Sequence, residues 1–500
     1  MTRPPNVFDR VKEVAGAHPE HVALVDDDLA LSYEELVTIA EERADGLHSA
    51  GVTEGSRIAV VADSSALYVA TVLAIWKVGA VLVTVYSSSS DEDVIRALQI
   101  SDPSLVVVSR PAHEELIARR LPLTPVVALG DFHPQSVNEG ARPNPAGLRE
   151  PLSMICFSSG TTSEPKAIML SAATVDNTAE TYAEVWHLSS DDRALISLPM
   201  AWLYGLASTT LAVLYRGGTV VVARRARPDV LVELARRHRI TFMAGVTVIY
   251  AKLTRHSEPD EVREAFSHLR LTISGGEPRN EAVFEEWRGI TGSAVLDAYC
   301  ASECIPLVTY DSNVDSEPIP GSAGRVVPRQ LLRVVDPEGN EVPAGEVGEA
   351  LASGPGLMLG YWDRPELTEQ VMTPDGWYRM KDLVRVDEQG YVYVVGRLSD
   401  VIIRGGTNIS PAEIESVINQ HPDVRQSAVV GLPDEIYGQR VVAAVTGVST
   451  LSLDSLKAFT TEHLSAYKVP EEFILMSELP VNDTTSKINR KALAEQLRVV

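Results

Sequence analysis

The most informative residues of this chain are Phe157-Ser158-Ser159-Gly160-Thr161-Thr162-Ser163-Glu164-Pro165-Lys166. It follows the apolar run from Met154 to Phe157, which predicts a strand. The loop offers backbone N–H groups and side-chain hydroxyls close together, as a bound phosphate requires. A Walker A loop has a second glycine directly before the lysine and Ser or Thr after it, whereas Pro165 precedes Lys166 and Ala167 follows. The stretch therefore predicts phosphate binding by another class of nucleotide enzyme, with an ordinary Ser/Thr-rich surface turn as the alternative.

Further motifs downstream decide between these two interpretations. They are, in chain order, Asp297-Ala298-Tyr299-Cys300-Ala301-Ser302-Glu303, Gly376-Trp377-Tyr378-Arg379-Met380-Lys381-Asp382, Gly396-Arg397-Leu398-Ser399-Asp400, and Leu479-Pro480 followed by Ser486-Lys487-Ile488. In type and order they resemble the motifs of the adenylate-forming superfamily, which comprises acyl-CoA synthetases, peptide-synthetase adenylation domains and luciferases. The resemblance extends from about Leu31 to Leu493 and is greatest to the acyl-CoA synthetases.

The length and composition are those of a globular protein with more than one domain. The chain has 500 residues, of which 45% are apolar and 22% are charged, and that length exceeds what one hydrophobic core usually supports. The formal net charge of −24 disfavours nucleic acid or an anionic membrane as a partner over the general surface. An anionic ligand must therefore bind at a local positive site.

Cysteine spacing and hydropathy predict a cytoplasmic protein without a membrane span. Cys156, Cys300 and Cys304 show neither the spacing of metal ligands nor that of a disulfide framework, which fits a reducing compartment. The N-terminus lacks the apolar core of a signal peptide. The longest apolar stretch, from Leu67 to Tyr86, is interrupted by a lysine and a glycine, so it predicts a buried helix followed by a strand. The oligomeric state stays open between monomer and homodimer.

Alternating helix and strand patterns predict an α/β fold. Val-rich runs alternate with amphipathic helices through much of the N-terminal half, which favours two parallel-type sheets covered by helices. From Ser322 to Val395, short strands and turns predict a small β-barrel or hairpin sheet. We therefore expect a large N-terminal domain over 1–396 and a small α+β domain over 401–500. The resemblance implies that the small domain is mobile and that residues 397–400 form the hinge. Ser410-Pro411-Ala412-Glu413 predicts a helix start in the small domain, with Glu413 completing a capping box.

The resemblance implies the activation of a carboxylic acid by ATP. The acid's own carboxylate attacks the α-phosphorus and pyrophosphate leaves, so the enzyme needs no nucleophile and acts by alignment and charge stabilisation. The acyl-adenylate is then transferred to the thiol of coenzyme A. The ligands that the resemblance implies are ATP, Mg²⁺ and coenzyme A, or the phosphopantetheine arm of an acyl carrier protein in place of coenzyme A.

The resemblance also implies roles for individual residues on the nucleotide side. The phosphates would contact Ser158, Ser159, Gly160, Thr161, Thr162 and Lys166, with Thr162 also among the catalytic residues. Glu303 would be the Mg²⁺ ligand, and Ser302 would bind the α-phosphate as a second catalytic group. The adenosine would be held by Tyr299 stacking on adenine, Asp297 accepting from its amino group, the backbone of Gly276, Glu277 and Pro278, Asp382 at the ribose hydroxyls, and Arg397 at the ribose or phosphates.

Lys487 is the residue expected to catalyse adenylation. An ammonium group close to both the carboxylate and the α-phosphate offsets the repulsion between two anions. Because Lys487 belongs to the small domain and the phosphate loop to the large one, the two domains must close on each other. By resemblance, the small domain then rotates, withdraws Lys487, and brings Gly405 and Gly406 to line the tunnel for the thiol arm.

The predicted acyl pocket indicates a hydrophobic acid. Amino-acid-activating relatives place an aspartate just after Pro199 to pair the substrate ammonium, and the stretch from Pro199 to Gly205 has none, so an α-amino acid is disfavoured. Trp202 stands where many acyl-CoA synthetases have histidine. Mostly small and apolar residues complete the predicted lining: Trp202, Val246, Thr247, Gly275, Cys300, Ala301 and Ile305. We expect a bulky, cyclic acid rather than a long straight chain.

Several positions depart from the family pattern, namely Ser163, Cys300, Met380-Lys381, Ser399 and Ser486. These departures leave two alternatives open. One is a stand-alone adenylation enzyme that loads an acyl or amino acid onto a carrier protein, and the other is a nucleotide- or acyl-binding module with weak turnover. Lys487, Glu303, Asp382 and Lys166 are all present, which favours the acyl-CoA ligase.

Overall fold

The computed structural model describes residues 6–27, 29–158, 165–256, 258–277, 279–315, 317–404, 407–481 and 488–498. Some of the predicted site residues lie outside these ranges. They are Ser159, Gly160, Thr161, Thr162, Pro278, Gly405, Gly406 and Lys487, together with the departures Ser163 and Ser486.

The described residues form a mixed α/β structure. Its strands are β1 (Val22–Asp26), β2 (Leu29–Ser32), β3 (Arg57–Ala62), β4 (Val81–Tyr86), β5 (Leu105–Val108), β6 (Val126–Ala128), β7 (Leu152–Ser158), β8 (Lys166–Ser171), β9 (Arg193–Ile196), β10 (Thr219–Val222), β11 (Phe242–Gly245), β12 (Leu271–Gly275), β13 (Val295–Ala301), β14 (Cys304–Thr309), β15 (Arg325–Val326), β16 (Leu331–Val335), β17 (Val347–Ser353), β18 (Gly360–Tyr361), β19 (Tyr378–Val386), β20 (Val392–Arg397), β21 (Ile402–Arg404), β22 (Thr407–Ile409), β23 (Val424–Asp434), β24 (Gly438–Gly447) and β25 (Glu472–Leu475). Its helices are α1 (Val7–Ala17), α2 (Tyr33–Ser49), α3 (Ala66–Lys77), α4 (Asp91–Ser101), α5 (Pro111–Arg120), α6 (Ala172–Val185), α7 (Ala212–Leu214), α8 (Pro228–His238), α9 (Thr247–His256), α10 (Pro259–Ala265), α11 (Glu281–Thr291), α12 (Pro365–Val371), α13 (Pro411–Ile418), α14 (Leu453–His463) and α15 (Arg490–Leu497), with a π-helix over Tyr204–Leu211 and a 3₁₀ turn over Leu398–Asp400.

Two largely parallel sheets form the bulk of the molecule. The nine-stranded sheet has the order β15-β14-β13-β12-β11-β9-β10-β1-β2, and its antiparallel strands β14, β15 and β2 lie at the edges. The seven-stranded sheet has the order β18-β8-β7-β4-β3-β5-β6, with β8 and β18 antiparallel to their neighbours. Strands such as β3 and β5 are buried along their whole length, as expected of parallel strands covered on both faces. The predicted α/β class with two parallel-type sheets is confirmed.

The short-strand region and the C-terminal region form smaller sheets. Strands β16, β17, β19 and β20 make an open four-stranded antiparallel sheet. Of the two structures predicted for this region, the hairpin sheet is therefore right and the β-barrel is wrong. Beyond the 3₁₀ turn, the β21–β22 pair and the sheet β23-β24-β25 combine with α13, α14 and α15. The buried side chains of this last region form clusters of their own, separate from those of the two large sheets.

Local predictions held for most elements, and one was wrong. The stretch from Leu67 to Tyr86 contains α3 followed by β4, and in the part of the chain that the structure describes no helix combines the length and apolar character needed to cross a membrane. Ser410 caps α13 by accepting from the Glu413 backbone N–H. The predicted capping box does not form, because the Glu413 carboxylate accepts from Lys468 Nζ at 2.6 and 2.7 Å instead.

Candidate active site

Several of the predicted site residues lie where parallel strands of the nine-stranded sheet end. Strands β11, β12 and β13 are neighbours, and their carboxyl ends carry Gly245, Gly275 and Ala301. Crevices at the carboxyl ends of parallel strands are the usual ligand sites of open α/β sheets. A Cβ on Gly275 would lie 3.0 Å from the carbonyl oxygen of Ala298 and 3.3 Å from the ring of Tyr204, so only glycine fits at this point without displacing the crevice wall.

Glu303 occupies a tight turn between β13 and β14. Ala301 and Cys304 pair across that turn, and the Glu303 side chain is buried. Its Oε1 accepts from the Tyr361 hydroxyl at 2.8 Å, and that hydroxyl in turn accepts from Tyr378. Burial and the neighbouring Glu303 raise the pKa of Tyr361 above its usual value, so the phenol stays protonated as a hydrogen-bond donor. The half-buried Ser302 lies in the same turn.

Lys166, which follows the predicted phosphate loop, and Glu303 both lie next to the segment that carries Tyr361. Ser158 and Lys166 pair across β7 and β8 and so hold the two ends of the loop together. Lys166 Nζ lies 5.3 Å from the centre of the Tyr361 ring, a cation–π contact. On the same segment, the Met358 N–H donates to the Glu303 carbonyl at 2.8 Å. Lys166 and Glu303 therefore approach the same tyrosine from two different sheets.

Asp382, Tyr299 and Arg397 form the next part of the site. The Tyr299 hydroxyl donates to Asp382 Oδ2 at 2.7 Å, and Arg397 Nε lies 2.9 Å from Asp382 Oδ1. Asp382 and Arg397 are direct partners on β19 and β20, which explains why the two residues meet although they are distant in sequence. The carboxylate is buried and the guanidinium is mostly exposed. Three residues that the resemblance assigned to the adenosine are thus brought together.

Lys381, directly before Asp382, has a left-handed backbone. Its φ is +59°, a conformation that favours glycine and is strained for other residues. The family pattern has glycine at this position. In this chain Lys381 replaces it, and the backbone keeps the left-handed conformation that suits glycine.

Asp297 lies on β13 beside an arginine. Its Oδ2 accepts from Arg279 Nη1 at 2.7 Å. Burial raises the pKa of Asp297 to about 6, and Arg279 works against that rise. Gly276 and Glu277 form the turn that leads from β12 towards Arg279, and Gly276 is exposed with a φ of +84°.

Aromatic side chains lie at and near the residues predicted for the acyl pocket. Trp202 is half-buried, and its ring centre lies 5.4 Å from that of Tyr86 at the end of β4. Tyr204 begins the π-helix, and its hydroxyl donates to the carbonyls of Gly245 and Ile273 at 3.2 and 3.4 Å. These two hydrogen bonds hold the Tyr204 ring against Gly275.

The remaining predicted pocket residues lie on or next to the ends of β11 and β13, except Ile305, which is on β14. Cys300 Sγ lies 4.0 Å from the hydroxyl of the buried Tyr182. Val246 and Ala301 are half-buried and pack against the main core, and Ile305 is fully buried. The Thr247 hydroxyl is buried, and no residue in the described ranges forms a hydrogen bond with it.

A magnesium ion fits this site only if it is held jointly by the protein and by bound phosphates. In the described ranges, no group of three or more His, Cys, Asp or Glu side chains is placed to hold a metal ion by itself. Glu303 supplies a single carboxylate, oriented by Tyr361. Mg²⁺ commonly binds through one or two carboxylates together with substrate phosphates and water, so this donor set is suitable for a metal that arrives with ATP.

In the small domain, one arginine joins three segments. Arg490 begins α15, and its Nη2 donates to both carboxylate oxygens of Glu415 at 2.8 and 2.6 Å. Its Nη1 lies 3.7 Å from Asp400 at the end of the 3₁₀ turn. Val481 and Ile488 form an isolated antiparallel bridge, so the chain on both sides of the predicted Lys487 segment is held in register.

Four contact residues escaped the sequence analysis: Tyr361, Tyr86, Tyr204 and Arg279. Tyr361 and Arg279 lie far along the chain from the carboxylates they contact, and no motif of a single sequence marks them. Tyr204 did have a signal, because it lies two residues after Trp202 in the stretch that was examined for a substrate-pairing aspartate.

Comparisons with known proteins agree with this geometry. The AMP-binding enzyme family model matches residues 11–362, and that of the AMP-binding enzyme C-terminal domain matches residues 413–486. Feruloyl-CoA synthase of an Amycolatopsis species is 32% identical over 474 residues, covering 92% of this chain and 93% of that protein. Indoleacetate–CoA ligase of Aromatoleum aromaticum is 30% identical over 504 residues, covering 96% and 98%.

A solved structure extends the agreement to three dimensions. ATP-bound MatB from Rhodopseudomonas palustris has a TM-score of 0.89 at 28% identity, with 99% of both chains covered. The apo structure of the same enzyme has a TM-score of 0.80 over the same coverage. The chain therefore belongs to the family of AMP-binding enzymes, as an adenylate-forming acid–CoA ligase.

Proposed function

We propose that this acid–CoA ligase acts on a hydrophobic, ring-bearing carboxylic acid without an amine next to the carboxylate. The observation that carries the proposal is the set of aromatic side chains at the predicted acyl pocket: Trp202 next to Tyr86, and Tyr204 against Gly275. Flat aromatic side chains pack well against a ring and close a pocket laterally, which disfavours a long straight chain. Two relatives, feruloyl-CoA synthase and indoleacetate–CoA ligase, are named for ring-bearing acids, which supports the same class of acid here.

Buried hydroxyls near the pocket support an acid that also carries a polar substituent. Thr247 and Ser197 follow the neighbouring strands β11 and β9, and no described residue forms a hydrogen bond with either hydroxyl. A buried polar group without a partner is costly. A hydroxyl or ether oxygen on the substrate ring would satisfy such a group.

Adenylation in this site is a displacement at the α-phosphorus. A bond forms between a substrate carboxylate oxygen and phosphorus, and the bond to the pyrophosphate oxygen breaks. Lys166 and the phosphate loop would hold the β- and γ-phosphates, and Ser302 would hydrogen-bond the α-phosphate. Asp382 would accept from the ribose hydroxyls while Tyr299 stacks on adenine. A bound Mg²⁺ would supply further charge neutralisation at the phosphates next to Glu303.

Lys487 would complete the site from the small domain. We infer a domain over 1–396, a hinge over 397–400 and a mobile domain over 401–500. Two ion pairs support this hinge: Arg397 is bound to Asp382 on its N-terminal side, and Asp400 contacts Arg490 on its C-terminal side. Only Leu398 and Ser399 lie between these anchors, so rotation would occur there.

The comparison with MatB supports two orientations of the small domain. The TM-score to this chain is 0.89 for MatB with ATP and 0.80 for MatB without it, as expected if the same fold adopts more than one conformation. In the second orientation, Gly405 and Gly406 would line the tunnel for the thiol of coenzyme A. A carrier-protein arm remains the alternative acceptor, and thioester formation with each acceptor separates the two.

We also infer a reducing compartment such as the cytoplasm. Cys156 and Cys304 are buried thiols, and Cys300 is half-buried, and none of the three forms a disulfide.

The acid specificity is tested by acid-dependent ATP–pyrophosphate exchange. The panel contains benzoate, cinnamate and indoleacetate analogues, a straight-chain series from acetate to palmitate, and amino acids. We expect the best ring-bearing acid to exceed the best straight-chain acid in kcat/KM by about tenfold or more, the range that pocket shape provides. Trp202→Ala should remove that preference while leaving the KM for ATP unchanged. A preference for straight chains in the wild-type enzyme contradicts the proposal.

A further inference from the structure

Arg279 is a largely buried arginine beside Asp297, one of the residues proposed to contact adenine. Its side chain is only 10% exposed, which is unusual for an arginine. Nε donates to Glu281 at 2.8 Å, and Nη1 donates both to the Val295 carbonyl and to Asp297 Oδ2 at 2.7 Å. The guanidinium also lies 4.8 Å from the centre of the Phe284 ring. Arg279 is therefore fixed in one position against Asp297.

Asp297 is a carboxyl group whose charge depends on this arginine. It is buried, and burial is the largest influence on its pKa, raising it to about 6, with Arg279 opposing the rise and Glu281 adding to it. The other titratable groups that face it are the phenols of Tyr204, Tyr250 and Tyr310, whose pKa values are all raised, so they are neutral. Without Arg279, the carboxyl group would hold its proton at higher pH.

The charge of Asp297 decides which base it can bind. Its Oδ2 is taken by Arg279, and none of the residues described by the structure donates to Oδ1. An ionised carboxylate is only an acceptor, whereas a protonated carboxyl also donates. Adenine presents an amino donor at the position where guanine presents a carbonyl acceptor. An ionised Asp297 thus binds adenine and repels guanine, and a protonated one accommodates both.

We propose that Arg279 is a positioning residue that holds Asp297 as an acceptor-only anion and thereby sets the selectivity for ATP over GTP. The inference rests on the proposed contact between Asp297 and the adenine amino group. A purely structural role for Arg279, in tying the turn before α11 to β13, makes no demand on base selectivity. The two roles therefore differ in what a substitution changes.

The test compares Arg279→Leu, which removes the charge at similar volume, with Arg279→Lys, which keeps it. The matched control is Arg288→Leu on α11, because Arg288 is exposed and pairs with the exposed Glu317. For each variant, kcat/KM is measured with ATP and with GTP from pH 5.5 to 8.5 by acid-dependent pyrophosphate exchange. We expect Arg279→Leu to lower the ATP-to-GTP ratio by about tenfold or more at pH 7.

The pH profile gives a second readout. ATP binding by the wild-type enzyme should weaken as the pH falls through about 6, because Asp297 takes up a proton. In Arg279→Leu that acid limb should move to higher pH, and Arg279→Lys should restore both the limb and the ratio. A variant with a lower melting temperature but an unchanged ratio and limb would show that Arg279 is only structural, and the proposal would be wrong.

Two further measurements keep the outcome clear. If Arg279→Leu does not fold, Asp297→Asn replaces it. Because an amide both donates and accepts, the ATP-to-GTP ratio of kcat/KM should fall and the acid limb of the pH profile should vanish. If either the ratio or the acid limb stays as in the wild-type enzyme, the proposal is wrong. If no acid supports exchange in the wild-type enzyme, the proposed acid specificity has failed. Calorimetric binding of ATP and GTP then still measures the base selectivity by itself.

Discussion

Two carboxylate–arginine arrangements lie on either side of the proposed hinge, and they are built differently. Before the hinge, the Asp382 side chain is 6% exposed and its partner Arg397 is 58% exposed. After the hinge, Glu415 is 10% exposed and Arg490 is 28% exposed. Glu415 also accepts from the Val429 backbone N–H at 2.7 Å. The first pair is open to solvent on one side, and the second is enclosed.

The difference separates a binding carboxylate from a structural one. An exposed guanidinium contributes little to stability and can be displaced by a ligand. An enclosed pair cannot exchange partners, and removing one member leaves a buried charge without compensation. We therefore expect substitution of Asp382 to affect nucleotide binding, and substitution of Glu415 to affect the stability of the small domain.

The largest effect on stability should come from Glu415→Gln. Loss of the carboxylate leaves the half-buried Arg490 without a full counter-charge, which costs about 2–3 kcal/mol of unfolding free energy. Urea denaturation of the whole chain measures this loss. Glu413→Gln on the same helix is the matched control, because Glu413 is exposed and pairs with Lys468, and it should cost under about 1 kcal/mol. Equal losses in the two variants would contradict the comparison.

Asp382→Asn should affect ATP binding by a smaller free energy. Hydrogen bonds to a charged carboxylate are worth about 1.5–3 kcal/mol, so the KM for ATP should rise about tenfold to a hundredfold. The unfolding free energy should change by less than about 1 kcal/mol, because Arg397 is exposed. Pyrophosphate exchange at varied ATP gives the KM, with Asp375→Asn, an exposed aspartate on the turn before β19 that pairs with Arg333, as the control. A loss of stability without a change in KM would mean that Asp382, like Glu415, has a structural role, and it would contradict the comparison.

Lys381→Gly should have the smallest effect, and it should be favourable. The left-handed backbone at position 381 costs a non-glycine residue about 1 kcal/mol, part of which glycine regains despite its greater freedom in the unfolded chain. A gain of about 0.5 kcal/mol with no change in the KM for ATP is expected from urea denaturation. A loss of stability would mean that the Lys381 side chain contributes a contact of its own.

The sequence predicted those parts of the fold and site that depend on local pattern. The Val-rich runs of β3, β4 and β5 and the strand before the predicted phosphate loop were recognisable because each is buried along most or all of its length. Glu303 and Asp382 were identified by the motifs around them. The domain boundaries and most individual roles stay predictions.

The parts that the sequence did not predict depend on contacts between distant segments. Tyr361 reaches Glu303 across 58 positions of the chain, and Arg279 meets Asp297 because β12 and β13 are neighbours in the sheet. The wrong capping box has the same cause: Lys468, 55 positions away, competes for the Glu413 carboxylate. A local sequence pattern does not show which distant side chains compete for a carboxylate.

The role of Lys487 as the cation that joins two anionic reactants is tested most directly by separating the two half-reactions of Lys487→Ala. Acid-dependent pyrophosphate exchange reports adenylation, and thioester formation from a preformed acyl-adenylate and coenzyme A reports the second step. We predict that exchange falls about a hundredfold to a thousandfold, while the second step keeps a rate close to that of the wild-type enzyme. Exchange at the wild-type rate in this variant would contradict the mechanism.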